Sequence, residues 1–168
     1  ADESGRTALY WAAQKGHVDT VTLLLGHAKI DVNQADKDGM TALSWAFQKG
    51  HVDTVMLLLG HAKIDVNQAD KYGTTALSWA IQKGHADIVT LLLGHAKIDV
   101  NAQGHFNFTA LHWAVVKNRP AFLIQLLSDD KIDCTLKDNR KYTPLKVAID
   151  SGRDECVKIL MEHGGSEK

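Results

Sequence analysis

The chain has 168 residues, with 19 lysines and arginines against 20 aspartates and glutamates, a formal net charge of −1 and a pI near 6.8. So even a balance gives no long-range field for holding nucleic acid or an acidic membrane, and no apolar run approaches the roughly 20 residues that span a bilayer. Two cysteines, Cys134 and Cys156, fall at non-equivalent points of the chain and form no disulfide framework, and the polar start Ala1 to Gly5 is no secretory signal, so an intracellular, cytoplasmic setting is expected.

Read from the N-terminus, one phrase recurs. Its opening threonine stands at Thr7, Thr41, Thr75, Thr109 and Thr143, always 34 residues apart. A fixed period of this size is the signature of stacked supersecondary units, so the whole chain, 1–168, is expected to form one elongated domain of five repeats, approximately 2–35, 36–69, 70–103, 104–137 and 138–168.

Each unit reads as two short helices and a projecting loop. In the first, Thr7 is placed to cap a helix that carries Leu9 and Ala12 on one face, and Gly16 supplies the positive φ that ends it. Val18, Val21, Leu24 and Leu25 then give a second helix one apolar face. Neither helix is long enough to stand alone. Ala8, Ala12 and Ala13 keep the first helix thin and the triple leucine makes the second bulky, so stacked pairs should curve with the thin helices on the concave side. The stretch from His27 to Met40 holds Asp, Asn and Gly at turn positions, as a projecting loop requires.

The first two units differ only at Tyr10/Ser44, Ala13/Phe47, Thr22/Met56, Asp38/Tyr72 and Met40/Thr74. The expectation is a constant scaffold with a changing surface. After Ala102 the pattern loosens, and Gly104-His105-Phe106-Asn107-Phe108 replaces the earlier loop. Unit four has Pro120 near the start of its second helix, and unit five has Pro144 at the first helical position. The polar mixture from Asp154 to His163 and the tail Gly164 to Lys168 suit a terminal cap. Unit one is no such cap, so the natural protein is expected to continue before Ala1 or to dock this end onto another subunit.

The period of 34 is shared with the tetratricopeptide repeat, and the residues decide between the two. Thr-Ala-Leu-x-Trp-Ala, Gly-His, Val-x-x-Leu-Leu and Asp-Val-Asn resemble the ankyrin repeat over roughly residues 2 to 165. The departures are local: Thr-Pro-Leu-His is preserved as Thr-Ala-Leu-His only at Thr109 to His112, and each unit has one extra residue in the Gly-His-Ala-Lys-Ile-Asp loop. The resemblance implies an all-α fold, an ankyrin-repeat solenoid of helix-turn-helix units with projecting β-turn or hairpin loops. It also implies a non-catalytic domain that binds a partner protein through its concave face, with no nucleic acid and no membrane involved. By the same resemblance Asn33, Asn67 and Asn101, which should hydrogen-bond the loop backbone, are candidate sites of β-hydroxylation by a dioxygenase. The alternatives are the targeting arm of a larger protein, such as a secreted effector, an immune receptor or an enzyme, and end-to-end self-association through repeat one.

Neither chemistry nor a cofactor is expected from the remaining constellations. The columns His17, His51, His85 and His27, His61, His95 lie on helices stacked roughly 8 to 10 Å apart, too far for three imidazoles to share a zinc at about 2 Å each. Cys156 and His163 are about two helical turns apart, too distant for direct proton exchange, and no nucleophile elbow, phosphate loop or zinc-protease motif occurs. Trp11, Trp45, Trp79 and Trp113 recur in register and should pack between repeats, with part of each ring reaching the surface. The expected partner anchors are the loop-tip aromatics Tyr72, Phe106, Phe108 and Tyr142, joined by Trp113 and the polar residues His112, Lys117 and Arg140. The competing reading is that the phenylalanines pack into an irregular fourth loop.

Overall fold

The computed structural model describes residues 1–164, and among them are ten α-helices and no strand; the tail residues 165–168, assigned above to a terminal cap, lie outside the described part. The chain divides into two compact units, one of residues Ala1–Ile98 and one starting at Asp99. The first holds α1 (Ala8–Lys15), α2 (Val18–Leu25), α3 (Ala42–Lys49), α4 (Val52–Leu59), α5 (Ala76–Lys83) and α6 (Ala86–Leu93). The second holds a 3-10 turn, His105–Asn107, followed by α7 (Ala110–Val116), α8 (Pro120–Leu127), α9 (Pro144–Asp150) and α10 (Asp154–Glu162). Within the first unit α1, α3 and α5 stack in one layer and α2, α4 and α6 in another. Within the second, α7 packs on α9 and α8 on α10.

The threonine column sets where each first helix begins. Thr7, Thr41, Thr75, Thr109 and Thr143 are extended, and their hydroxyls accept the N–H of Tyr10, Ser44, Ser78, His112 and Lys146. Such a cap is worth about 1 kcal/mol, a useful gain for helices of seven or eight residues. At the other end Gly16, Gly50 and Gly84 have φ of 70°, 74° and 86°, and Asn118 takes the same left-handed conformation at 50°. The histidine after the turn has a packing reason. A Cβ on Gly16 would lie 2.7 Å from Nδ1 of His51, whose Nε2 bonds the Gln14 carbonyl at 3.1 Å.

The core follows the predicted periodicity in part: of the face predicted for the second helix of unit one, Val21 is sealed, Leu24 and Leu25 are half-buried and Val18 is exposed. Leu9, Ala13, Val21, Phe47, Val55, Leu58, Ile81, Val89 and Leu92 are almost fully buried in the first unit, and Leu111, Leu123, Leu126, Leu145 and Leu160 in the second. The triple leucine, however, is not uniformly internal: Leu58 and Leu92 are sealed, while Leu23 is 79 % exposed. In the second and third triples only the middle leucine is buried, and in the first Leu24 and Leu25 are both half-buried. The five differences between the first two repeats also fall otherwise than expected. Tyr10/Ser44, Ala13/Phe47 and Met40/Thr74 are buried pairs, and only Thr22/Met56 and Asp38/Tyr72 alter the surface. Three of the five therefore adjust packing rather than what a partner meets.

Loops are tied along the stack by the asparagines. Asn33 donates from Nδ2 to the Lys63 carbonyl at 2.8 Å and accepts the Asp65 N–H at 2.9 Å. Asn67 donates to the Lys97 carbonyl at 2.7 Å. In the second unit Asn101 bonds the Lys131 carbonyl at 2.7 Å and the Asp133 N–H at 2.8 Å. Thus each loop is held by the residue that closes the previous one. Asn101→Ala is expected to cost about 2 kcal/mol in urea unfolding, because it removes a bidentate bridge and leaves two backbone groups to find water.

Candidate partner-binding site

The loops share one organising carboxylate. Asp36 Oδ1 accepts the N–H groups of Asp38 and Met40 at 2.9 Å each, and Asp70 does the same for Tyr72 and Thr74. Asp138 repeats the pattern with Arg140 at 2.8 Å and Tyr142 at 2.9 Å. The fourth loop has Gly104 at that place, so no carboxylate can gather its N–H groups. The chain responds by tightening into the 3-10 turn, with Phe106 at φ 62° and Asn107 at φ 57°. Gln103 supplies the missing tie, donating from Nε2 to the carbonyls of Asn107 and Lys137 at 2.9 Å each.

That rearrangement displays an aromatic side chain. Phe106 is 54 % exposed and its carbonyl accepts the Asn139 N–H at 2.9 Å, which joins the fourth loop to the fifth. Between them opens a groove of about 300 Å³ lined by Phe106, Phe108, Asp138, Asn139 and Arg140. Its apolar wall is packed from behind. Phe108 lies 6.0 Å from the Phe106 ring, stacks on His112 at 5.2 Å and meets Trp113 edge-on at 5.1 Å. The opposite rim is cationic. Arg140 bonds Asp138 Oδ2 through both Nε and Nη2 at 3.1 Å, and its guanidinium sits 4.8 Å from the Tyr142 ring. Burial alone would push the Asp138 carboxyl up, but the bonds from Tyr142 and Arg140 outweigh it and hold its pKa below the ordinary carboxylate value. The carboxylate is therefore ionised at neutral pH and keeps Arg140 in place.

The fifth loop also contains a strained residue. Lys141 has φ 68°, at the repeat position where Gly39 and Gly73 stand at 78°. A non-glycine residue in this region costs on the order of 1 to 3 kcal/mol, part of which glycine returns as unfolded-state entropy. Lys141→Gly is accordingly expected to stabilise the second unit by about 1 kcal/mol, read as a higher urea midpoint.

The expected site residues divide clearly. Phe106 and Arg140 are exposed on the groove, and Tyr142 is half-buried beneath Arg140. Phe108 is 9 % exposed and serves as wall, as the packing alternative anticipated for it. Trp113 is half-buried behind Phe108, and Lys117 is exposed at the end of α7, outside the lining. His112 is corrected: it is fully buried, with Nδ1 at 3.2 Å from the Thr109 N–H and Nε2 at 3.0 Å from the Tyr142 carbonyl, so it offers nothing to a partner. Tyr72 is exposed on a loop tip of the first unit, with the Lys71 ammonium 5.0 Å from its ring. Two lining residues were missed, Asp138 and Asn139. The recurrence of Asp36, Asp70 and Asp138, broken at Gly104, was the available signal for the first.

Burial pushes both free thiols up, Cys134 with a further contribution from Asp133, and Cys156 with one from Glu155. His163 bonds the Ile159 carbonyl at 2.9 Å. Among the described residues no cluster of three or more His, Cys, Asp or Glu could hold a metal, and no helix is long and apolar enough to cross a membrane. Of the tryptophans, Trp45 and Trp79 are half-buried with Lys49 and Lys83 each 5.5 Å from their rings, and Trp79 Nε1 donates to Asp70 at 3.2 Å.

Capped helix pairs repeating every 34 residues, with loops bridged by asparagine and aspartate, define a helical repeat protein. A family model for ankyrin repeats in three copies matches residues 28–104 and again 97–168, and a single ankyrin-repeat model matches residues 4–37. The chain belongs to the ankyrin-repeat family. Comparison with curated proteins found no match. Ankyrin repeats are in general protein–protein interaction modules without catalytic activity.

Proposed function

We propose that this chain is a single, non-catalytic domain that works inside the cell by binding another protein, through the loop tips and first helices that the sequence assigns to a concave face. The observation that carries the reading is Phe106, an exposed aromatic held at positive φ beside a groove with an apolar wall and a cationic rim. Strain of this kind is retained where surrounding bonds over-determine it, and such positions gather at ligand sites. Because the groove is already formed, little ordering entropy opposes association. An interface of standard size would bury about 800 Å² on this side.

The test is capture of partners by the intact chain beside a Phe106→Ala variant of equal thermal stability, identified by mass spectrometry. Proteins retained by the intact chain and absent from the variant are the expected result; loss of Phe106 is expected to weaken binding by about 2 kcal/mol. Identical capture by both would sink the site assignment. Asn33, Asn67 and Asn101 are kept as proposed hydroxylation sites, checked by an intact-mass gain of one oxygen per site after incubation with an asparaginyl dioxygenase.

A second reading, self-association through repeat one, is favoured by one comparison. Ala8 and Thr20 are exposed, whereas Ala42 and Thr54, one repeat later, are buried against their predecessors. Sedimentation velocity across a concentration series is expected to show dimers if that face pairs, and a constant monomer rejects it.

A further inference from the structure

The groove between the fourth and fifth loops is chemically two-sided. On one side stand the exposed Phe106 ring and the Phe108 wall. On the other stand Asp138, Asn139 and Arg140, with Lys137 and Lys141 flanking them in the chain. The anion is not available to a ligand: the Asp138 side chain is 1 % exposed, and Arg140 together with the Tyr142 N–H occupies its oxygens. Lys137, Arg140 and Lys141 are all exposed. Arg140 is therefore the charged group that the lining offers a ligand, and Lys137 and Lys141 are exposed on the same loop, on a chain whose net charge is −1.

Resting on the protein-binding reading above, we propose that the groove takes an acidic, extended segment of the partner. One apolar side chain of that segment seats against Phe106 and Phe108, and carboxylates flanking it reach Arg140, Lys137 and Lys141. Three physical points support this occupant. Arg140 is fixed twice, by its fork on Asp138 and by the Tyr142 ring 4.8 Å away, so its remaining N–H groups already point in one direction and lose little freedom on pairing. An aromatic wall next to a guanidinium suits an apolar side chain followed by a carboxylate, because the first is desolvated while the second forms a charge-assisted bond at the rim. The exposed Asn139 amide, at the floor between the two, can pair with both groups of a passing peptide bond. With 19 basic against 20 acidic residues, the chain has no excess of positive charge of the kind that holds a nucleic-acid backbone.

The test uses the full 168-residue chain and a fluorescein-labelled peptide, Ser-Glu-Asp-Glu-Phe-Asp-Glu-Asp-Ser, followed by fluorescence anisotropy. Saturable binding is expected, weakened about tenfold when the acids become Gln and Asn and about tenfold when the peptide Phe becomes Ala. On the chain, Arg140→Gln should weaken binding about tenfold and Phe106→Ala by a similar factor, while Phe106→Leu retains it. Because Arg140 also braces Asp138, Lys137→Gln is the second variant; its side chain takes no part in the loop's bonds, and a loss of about two- to threefold is expected. Raising salt from 50 to 500 mM should weaken the acidic peptide alone.

Equal binding of the acidic and neutralised peptides would overturn the acidic partner while leaving the groove as a protein site. So would failure of the acidic peptide to bind at all when Phe106→Ala still loses captured proteins. Tighter binding of single-stranded oligothymidine than of the peptide would overturn it in favour of nucleic acid. If Phe106→Ala captured the same proteins as the intact chain, the protein-binding reading of this groove would itself fall.

Discussion

Replacing Gly39 with alanine is expected to destabilise the chain by about 3 kcal/mol, much more than the same change at Gly152. Both glycines have positive φ, 78° and 62°, so both substitutions carry the left-handed cost of roughly 1 to 2 kcal/mol. They differ in what lies above. A Cβ on Gly39 would stand 2.8 Å from the Lys71 N and 3.0 Å from the Asp70 Cα, whereas at Gly152 nothing lies within 4 Å. The obstructing atoms are backbone, and they belong to a segment already pinned by the Lys71 N–H to the Asp38 carbonyl at 2.9 Å. Relief therefore requires separating two loops rather than turning one side chain. Urea unfolding of the two variants measures the difference. Equal costs would mean that neighbouring loops do not approach this closely in solution.

The same loop contact explains how much of the fold could be read in advance. The Thr7 to Thr143 column, the left-handed Gly16 and the Asp-Val-Asn asparagines each depend on near neighbours or on an exact repeat, and the chain writes the first rule five times and the last three times over. Burial at single positions depends on the next layer, which the local phrase does not contain. That is why Leu24 and Leu58 look alike in sequence, although one is half-buried and the other sealed. It is also why Ala13 and Phe47, which look like a surface change, are a volume exchange inside the stack.

The site was half legible for a related reason. Aromatics at loop tips where other repeats hold Asp38 or Met40 stood out as a break in pattern, and Phe106 is exposed accordingly. The loss of the loop carboxylate at Gly104 was legible too, but its consequence was not: the Gln103 bonds that replace it come from outside the turn. Phe108, two residues away, points inward because the strained turn reverses the chain between them. His112 was expected as a partner contact and instead closes the capping box with Thr109. A buried imidazole with both nitrogens bonded inside the fold has nothing left for a partner.

His112→Ala is expected to cost about 3 to 4 kcal/mol, since it leaves the Thr109 N–H unpaired, removes one of two donors to the Tyr142 carbonyl and strips the stacked partner from Phe108. The bonds fix the tautomer. A backbone N–H only donates and a carbonyl only accepts, so Nδ1 is the acceptor and Nε2 carries the proton. Burial, the largest cause, holds the His112 pKa below the ordinary value of 6.5 against the opposing pull of the Tyr142 carbonyl. A second proton would also have to enter at Nδ1 and break the Thr109 bond. The sign of the pH effect follows. Above about 6.5 the residue is neutral in both folded and unfolded chains and its contribution is complete; as pH falls from there towards the lower folded value, the unfolded chain gains a proton that the folded chain resists, and stability is lost. His112→Gln removes this titration, so the difference in unfolding free energy between wild type and variant should shrink from pH 7.5 to pH 5. A difference that stays constant over that range would mean that His112 is protonated as readily in the fold as outside it, and the buried clamp between Thr109 and Tyr142 would have to be abandoned.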